Sequence, residues 1–441
     1  MAWDKIDFEI SRTKLTSNSS ENSSKKFKGK IRRHHLNQRT LPRWLPSLPK
    51  SRLFPHDQIF CLFNLILSLT VFIIAFIENW SSTNEKVELI ITTKHRLPNY
   101  IDRPSAWIGC DLKADTEQWL KKLSNAEIAD LESAAAHFLS LGKNIGEISR
   151  GDFPLKRFGQ HLETLKTKLI NGIGVELIRG LPIEAYSREF CATIFCGIGT
   201  YLGNARSQNA QGHILGHVRD IGLDPQNTNT RIYQTSARQT FHTDSTDVVG
   251  LMCLHAAKNG GESLLVSAET LFNRMQQKRP DLVPHLFEVV ATDRRGEVPP
   301  GEKPFFEIPV LSWYEELLTV QYQRQYINSA QRFARAPKLK EKQIQALDYF
   351  DALANDSELH LSMELQPGDM QFVYNHSQLH DRTRFDDWDE PQHRRHLLRL
   401  WLSIAGDRPL PPCFESRYGS LEIGNRGGIV TKHTHLQAPL D

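Results

Sequence analysis

The sequence lacks several features that would define a specialised class of protein. It contains six cysteines in 441 residues, and no two of them form a Cys-x-x-Cys pair. Cysteines scattered in this way argue against a disulfide framework and favour a reducing compartment for the catalytic part of the chain. The formal net charge is only +3 and no internal repeat is present, so we expect neither a nucleic-acid partner nor a repeat architecture.

The composition is that of a globular protein with a basic N-terminal extension. Hydrophobic residues make up 39% of the chain, which is enough to bury a large core in one domain or in two to three smaller ones. Residues 1–57 are rich in Ser, Asn, Lys and Arg, and they hold 13 Lys and Arg against five Asp and Glu. Because this segment has no apolar periodicity, we predict a disordered basic tail.

One long apolar run follows the basic tail. The run Ile59–Ile77 carries no charged side chain, and Trp80 lies just beyond it. About 20 apolar residues span the hydrocarbon core of a bilayer. We therefore predict a transmembrane helix at 58–78 and a single-pass membrane protein, with a cytoplasmic location as the alternative. A buried helix, or a segment that is absent from the mature enzyme, would explain the same run.

The remaining sequence predicts a linker at 79–112, an α+β domain at 113–425 and a short tail at 426–441. The first part of the domain, 113–202, is predicted to be helical, because apolar residues recur at helical spacing in 117–141, 155–173 and 187–202.

The second part of the domain, 203–425, is dominated by short predicted strands. They lie at 248–257, 262–267, 319–326, 362–365, 370–374 and 396–404, and helices at 268–278 and 340–354 interrupt them. Short strands with helical insertions predict a jelly roll, which is a double-stranded β-helix, with flanking helices.

The strongest chemical signal is a His-x-Asp pair together with a distant histidine. His242 and Asp244 are two residues apart, so on a strand both side chains point to one face and can reach the same metal ion. His380 would complete the site from a remote strand. Two imidazoles and one carboxylate leave one face of Fe(II) open for a co-substrate and O2. A His-x-Asp pair has little specificity alone, because the chain contains 18 histidines.

A later predicted strand supplies two arginines on one face. Alternation places Arg395, Leu397, Arg399 and Trp401 on one side of this strand and the intervening residues on the other. Burying an arginine is costly unless it meets an anion, and its planar fork matches a carboxylate. A dicarboxylate co-substrate would supply that anion. A carboxylate of the protein, or an exposed edge strand, is the alternative.

Four segments in this order resemble the taurine dioxygenase (TauD/TfdA) family of Fe(II)- and 2-oxoglutarate-dependent oxygenases: Phe241–Asp244, Gly260–Ser263, Asn375–Phe385 and Arg394–Trp401. The resemblance covers about 172–420. It implies a double-stranded β-helix, a dioxygenase activity, Fe(II) as the cofactor and 2-oxoglutarate as the co-substrate. The basic tail and the apolar run lie outside the family pattern.

The resemblance also implies roles for individual residues. It implies that His242, Asp244 and His380 are the iron ligands and the catalytic residues. It implies that Arg395 binds the distal carboxylate of 2-oxoglutarate. Ser263 takes the place of a family threonine whose hydroxyl binds the same carboxylate.

Arg399 matches a second family arginine, near both co-substrate and substrate, and hints at an anionic substrate. The implied reaction consumes O2, converts 2-oxoglutarate to succinate and CO2, and oxidises a small molecule such as a sulfonate or a secondary metabolite. Hydroxylation is the expected outcome, and desaturation or ring chemistry is left open. Two alternatives are a zinc-dependent hydrolase with the same ligands and a non-catalytic, membrane-tethered jelly-roll binding module. The sequence does not define the substrate or the oligomeric state.

Other polar residues near these motifs are weaker candidates. Tyr233 and Gln239 could face the substrate, as could Asn204 and Gln208, although a structural hydrogen bond is favoured for each. Asn375 could orient a metal ligand.

Overall fold

The computed structural model describes residues 97–227, 229–429 and 434–441. The predicted basic tail at 1–57 and the predicted transmembrane segment at 58–78 lie outside these residues. Five of the six cysteines lie within them, and all five are free thiols. This part of the chain therefore agrees with the expectation that no disulfide framework is present.

The described residues form an α+β domain of short strands and helices. The strands are β1 Leu120–Lys122, β2 Val175–Arg179, β3 Asn204–Ala205, β4 Leu215–Val218, β5 Gln239–His242, β6 Val248–His255, β7 Asn259–Gly260, β8 Ser263–Ser267, β9 Val289–Asp293, β10 Phe305–Pro309, β11 Leu311–Tyr314, β12 Leu317–Val320, β13 Leu361–Met363, β14 Met370–Tyr374, β15 Gln378–Arg382, β16 Phe385–Asp386 and β17 His396–Ser403. The α-helices are α1 Gly109–Ala114, α2 Asn125–Ser140, α3 Phe158–Asn171, α4 Arg188–Leu202, α5 Ala268–Lys278, α6 Val283–Leu286, α7 Arg324–Ala330, α8 Glu341–Ala354 and α9 Glu415–Tyr418.

The major sheet has the strand order β1-β2-β14-β6-β17-β3, and β4 also pairs with β17. Its neighbours are antiparallel except for β1 and β2. Helices α2, α3 and α4 cover its outer face, where Phe138, Leu162 and Phe195 pack in one cluster with Leu398 and Leu400 of β17. Both faces of β17 are buried, and five of its eight residues are apolar.

The minor sheet has the strand order β13-β8-β15-β5. Its outer face carries Val266 of β8 and Leu379 of β15, which pack against Phe272 of α5 and Phe350 of α8. The inner faces of the two sheets meet in a separate cluster that contains Leu265, Leu361, Val373 and Leu397. Two facing sheets with helices outside confirm the predicted α+β jelly roll.

The sequence correctly predicted which side chains of β17 lie on each face of the strand. Leu397 lies between the sheets, whereas Leu398, Leu400 and Leu402 point to the outer helices. The period-2 alternation of a strand therefore places Arg399 and Trp401 on the inner face, as the sequence indicates.

The predicted helix at 117–141 is wrong at its N-terminal end. Leu120–Lys122 is instead a strand that pairs in parallel with β2. The helix begins at Asn125, because the Ser124 side chain accepts a hydrogen bond from the Glu127 N–H, and Glu127 bonds back to the Ser124 N–H. This capping box stops the helix from extending towards the N-terminus.

Two segments at the domain boundaries differ from the sequence expectation. In the predicted linker at 79–112, Ile101, Trp107 and Leu112 are buried, and the Ile101 N–H donates to Asn273 Oδ1 at 2.8 Å. In the predicted tail at 426–441, Arg426 is fully buried. Both segments therefore pack into the domain through the residues described here.

The predicted membrane location is corrected. None of the helices in 97–227, 229–429 and 434–441 is long and apolar enough to cross a bilayer. The segment 58–78, on which that prediction and the predicted membrane partner both depended, lies outside these residues. We therefore withdraw the assignment to a membrane.

Candidate active site

The pairing of β5 with β15 brings two histidines together. His242 lies opposite His380 in this antiparallel register, and the ring centroids are 4.1 Å apart. Asp244 follows β5, and its carboxylate oxygens lie 4.0 Å from His242 Nε2 and 3.8 Å from His380 Nε2. One ligand atom from each of the three residues lies within 4.8 Å of the other two. The structure thus unites the three side chains that the sequence predicts to act together.

Hydrogen bonding orients the His242 ring. Its Nδ1 donates to the Thr240 carbonyl at 2.9 Å, which leaves the Nε2 lone pair on the side of Asp244 and His380. The Gln239 side-chain amide lies 2.8 Å from this Nε2. Burial lowers the pKa of His242, and it lowers the pKa of His380 to about 3. Both rings are therefore neutral near pH 7, which is the form that binds a metal.

Asp244 connects the two sheets. Its N–H donates to Asn375 Oδ1 at 3.0 Å, and Asn375 Nδ2 donates back to the Asp244 carbonyl. Its Oδ2 accepts a hydrogen bond from Trp401 Nε1 at 2.8 Å and lies 3.4 Å from Arg399 Nη1. Burial works to raise the pKa of Asp244, but Arg399 and the two histidines outweigh burial and lower it to about 2. The carboxylate is therefore charged and held in a fixed position.

The chemistry of this donor set fits Fe(II). Two neutral imidazoles and one carboxylate would hold Fe(II) and would leave coordination positions for a co-substrate and O2. The hydrogen bonds at Thr240, Asn375 and Trp401 fix His242 and Asp244 in the way that bonds behind a metal ligand usually do.

A cavity beside the two histidines contains Arg395 and Ser263. Arg395 is only 5% exposed, and its Nη1 has no hydrogen-bond partner in the described chain. Its guanidinium carbon lies 5.1 Å from the Phe385 ring centroid, and that of Arg382 lies 4.7 Å from the same centroid. Burial lowers the pKa of Arg395 to about 10, and burial followed by repulsion from Arg395 lowers that of Arg382 to about 9. Two buried guanidinium groups favour an anion in this cavity.

Arg399 lies between this cavity and a second one that adjoins Asp244. Its Nε donates to Gln208 Oε1 at 2.7 Å, and its guanidinium carbon lies 4.6 Å above the Tyr233 ring. Tyr233 and Gln239 line both cavities.

The chain is also similar to known proteins. A family model described as "Taurine catabolism dioxygenase TauD, TfdA family" matches residues 137–401, which is more than half of the chain. The chain belongs to the TauD/TfdA family. This TauD/TfdA chain is 31% identical over 322 residues to FR-33289 synthase from Streptomyces rubellomurinus (strain ATCC 31215), with 71% of the chain and 94% of that protein covered.

Two further similarities concern a relative and a fold. The "Taurine hydroxylase-like protein SAT17" of Stachybotrys chartarum (strain CBS 109288 / IBT 7711) is 31% identical over 315 residues, which cover 69% of this chain and 80% of that protein. The crystal structure of asparagine oxygenase with Fe(II), 2S,3S-3-hydroxyasparagine and succinate has a TM-score of 0.51 and 16% identity, and the match covers 64% of this chain and 93% of that one. At this identity the likeness concerns the fold.

The TauD/TfdA enzyme is an Fe(II)- and 2-oxoglutarate-dependent dioxygenase that acts on small molecules. Membership of this family, whose model matches residues 137–401, carries Fe(II) as the cofactor and 2-oxoglutarate as the co-substrate. The zinc-dependent hydrolase and the non-catalytic binding module are therefore set aside.

Some of the weaker sequence candidates contact the cavities or Asp244 in the TauD/TfdA domain, and the others make supporting hydrogen bonds. Tyr233 and Gln239 line the cavities, and Asn375 holds Asp244. Gln208 supports Arg399 from behind, and Asn204 donates to the Gly424 carbonyl at 2.8 Å, which is a structural bond.

The sequence motifs indicate no role in the site for Arg382 and do not reveal the bond from Trp401 to Asp244. Arg382 lies two residues after His380, on the same face of β15, and this spacing was the available signal. Trp401 was placed correctly on the inner face of β17, but its indole partner depends on how the sheets approach each other.

A second group of potential metal ligands in the TauD/TfdA domain consists of Asp247, His376 and Asp407. Arg426 already fills it, with Nε 2.8 Å from Asp247 Oδ1 and Nη2 2.8 Å from Asp407 Oδ2. His376 Nε2 lies 2.9 Å from the same Asp247 oxygen. This group is therefore a buried ion-pair network that supports the strand ends behind Asp244.

Proposed function

We propose that this dioxygenase hydroxylates a C–H bond of a small anionic molecule, with Fe(II) held by His242, Asp244 and His380. The convergence of one donor atom from each residue within 4.8 Å carries the proposal. The protonation states support it, because burial keeps the histidines neutral while Arg399 and Trp401 help to keep Asp244 charged.

We assign 2-oxoglutarate to the cavity that contains Arg395 and Ser263. Arg395 would bind the distal carboxylate through its fork, and the Ser263 hydroxyl, 3.1 Å from Gln371 Oε1, would donate to the same group after rotation. The unpaired Nη1 of buried Arg395 supports this assignment, because an unpaired buried donor costs free energy unless a ligand satisfies it. Arg399, at the wall between the cavities, would face both co-substrate and substrate.

When Fe(II), 2-oxoglutarate and O2 are bound, the metal centre supplies the oxidising power for the reaction. The residues of the chain itself orient the metal ligands and the co-substrate and surround the site. Thr240 fixes the His242 ring and Asn375 fixes the Asp244 backbone. Arg395, whose Nη1 has no partner in the described chain, would hold the distal carboxylate of the co-substrate. His242, Arg395 and Arg399 are buried, and a charged interaction between buried groups is stronger than one in bulk water.

An anionic substrate is supported by the basic side chains around the second cavity. Arg399 is one of them, and Arg231, Arg294 and Arg417 line the same space. Four arginines next to one metal ligand favour a negatively charged molecule over a neutral or cationic one.

The proposal is tested by the metal and co-substrate dependence of the purified protein. We expect conversion of 2-oxoglutarate to succinate with Fe(II), and none with Zn(II) or after chelation. The His380→Ala variant should lose this activity, whereas His285→Ala, which removes a surface histidine paired with Glu288, should retain it. Unchanged turnover in His380→Ala would refute the assignment of the ligands.

A further inference from the structure

The second cavity, which adjoins Asp244, contains an arginine cluster that the co-substrate does not need. Arg231, Arg294 and Arg417 line it together with Asp244 and Trp401. Arg294 and Arg417 also line a wide groove that opens at the surface next to it. The two arginines therefore stand between bulk solvent and the metal ligands.

Two of these arginines lie close to the ring of Phe306. The guanidinium carbons of Arg417 and Arg294 lie 5.3 and 5.6 Å from the centroid of its buried ring. The co-substrate cavity has the same arrangement, in which Arg395 and Arg382 share the ring of Phe385. Each of the two cavities therefore has a pair of arginines next to one phenylalanine ring.

The charge of this cluster is only partly compensated within the protein. Arg231 forms an ion pair with Glu297. Among the described residues, Arg294 forms an ion pair with half-exposed Glu302 at 3.5 Å, and its Nη2 also donates to the Ser416 carbonyl at 2.5 Å. Arg417 has no ion-pair partner among the described residues, and its Nε donates to Ser245 Oγ at 2.6 Å, one residue from Asp244.

The hydrogen-bond donors of Arg294 are only partly satisfied by the described residues. It is 4% exposed, and its Nε has no hydrogen-bond partner in the described chain. Burial, and then repulsion from Arg231 and Arg294, lower the pKa of Arg417 to about 9. The other acidic side chain in the wall, Asp293, is already bound by Arg332. Buried guanidinium groups of this kind are costly unless an external anion pairs with them.

We propose that Arg294 and Arg417, assisted by Arg231, bind the dianionic phosphonate or phosphate monoester group of the substrate. Two guanidinium groups lack a full counter-charge, so a group with two negative charges and three terminal oxygens neutralises them better than a singly charged sulfonate or carboxylate. Because Arg417 is bonded to the neighbour of Asp244, the oxidised carbon lies a short chain away from this group. The inference rests on the proposed function, whose second cavity it assigns to a substrate class.

The test measures binding of three small probes to the full-length protein by titration calorimetry. Ethylphosphonate, ethanesulfonate and propionate are compared without O2, at a pH high enough for much of the ethylphosphonate to be dianionic but still below the Arg417 pKa of about 9. Each titration is done with Fe(II) and saturating 2-oxoglutarate, and repeated without either. We expect ethylphosphonate to bind at least tenfold more tightly than the other two probes.

Variants locate the binding site. Arg417→Gln and Arg294→Gln should each weaken ethylphosphonate binding tenfold or more, while Arg417→Lys should lose less because it retains the charge. The control is Arg150→Gln, which removes a guanidinium that lies 4.3 Å from the Tyr201 ring and pairs with Glu163, outside both cavities. It should leave the affinity unchanged.

Equal affinity for the three probes, no binding of ethylphosphonate, or binding that persists in Arg417→Gln and Arg294→Gln would each overturn the inference. The comparison of probes on the unaltered protein decides the case even if a variant does not fold. Titration of 2-oxoglutarate into the same proteins separates the two proposals. Fe(II)-dependent 2-oxoglutarate binding without a preference for ethylphosphonate leaves the proposed function standing and removes only the substrate class.

Discussion

His242 and His380 lie directly opposite each other on β5 and β15, with ring centroids 4.1 Å apart. The register of two antiparallel strands sets this separation. Asp244 reaches the pair just beyond β5 and is held by Asn375, which follows β14 of the other sheet. The geometry of the candidate iron site therefore depends on the packing of both sheets.

Trp401→Phe removes the indole donor to Asp244 and leaves an aromatic ring in its place. Without the 2.8 Å hydrogen bond the carboxylate is less fixed, and we expect Fe(II) affinity to fall by about 10–100-fold. Anaerobic Fe(II) titration measures this. The matched control is Trp119→Phe, which removes an indole bond to the Leu112 carbonyl away from the site. If both variants bind Fe(II) like the parent protein, Trp401 has no such role.

Arg395→Ala removes the proposed partner of the distal carboxylate of 2-oxoglutarate. Loss of one member of a buried charge pair costs about 2–5 kcal/mol, so KM for 2-oxoglutarate should rise at least about 30-fold. Arg395→Lys should recover part of the loss, because it restores the charge but not the fork. Initial rates of succinate formation over a range of 2-oxoglutarate concentrations give the values. An unchanged KM in Arg395→Ala would remove the assignment.

Gly261→Ala should affect the co-substrate through Arg395. At this glycine φ is +78°, and an added Cβ would lie 2.9 Å from Arg395 Nε. Gly142→Ala is the control, because φ is +66° there and nothing lies within 4 Å of the added atom. Both variants should lose about 1–2 kcal/mol of stability from the left-handed backbone. Only Gly261→Ala should raise KM for 2-oxoglutarate, and equal KM values would show that Arg395 tolerates the shift.

Asp247→Asn should destabilise the fold in a pH-dependent way. Burial works to raise the pKa of Asp247, but His376 and Arg426 outweigh burial and hold the pKa below its usual range. Such a carboxylate stabilises the fold fully above its unfolded pKa of about 3.9, and this stabilisation is lost as the pH falls through the folded pKa.

The expected loss in Asp247→Asn is about 3–5 kcal/mol near pH 7, because a buried charge network is broken, and the loss should shrink below about pH 4. Urea unfolding at several pH values measures it. Asp281→Asn, which breaks an exposed pair with Arg279, should change stability little. A loss in Asp247→Asn that is the same at every pH would contradict the role of its charge.

The sequence could predict the parts of this fold that depend on local periodicity. The alternation of β17 placed Leu397, Arg399 and Trp401 on the inner face because a strand repeats every two residues. The same reasoning extended a helix through Leu120–Lys122, where pairing with β2 outweighs the helical spacing. The Ser124–Glu127 capping box was the local signal that marks the true start of this helix.

Some residues of the candidate site could also be predicted from the sequence, and others could not. His242, Asp244, His380 and Arg395 lie in short motifs that sequence reasoning can identify. The pairing of Arg294 with Arg417 across Phe306 could not be predicted, because these residues come from separate segments and meet only through tertiary packing. Residues that complete a site from outside a motif carry no periodic signal.

The most direct test of the account is the Fe(II) content of the Asp244→Ala variant beside the parent protein, measured anaerobically after gel filtration. We predict one Fe(II) per chain in the parent, none in Asp244→Ala, and a full complement in the control Asp281→Ala. A thermal melt of each protein confirms that it is folded. Stoichiometric Fe(II) in folded Asp244→Ala would contradict the central claim and place the metal elsewhere.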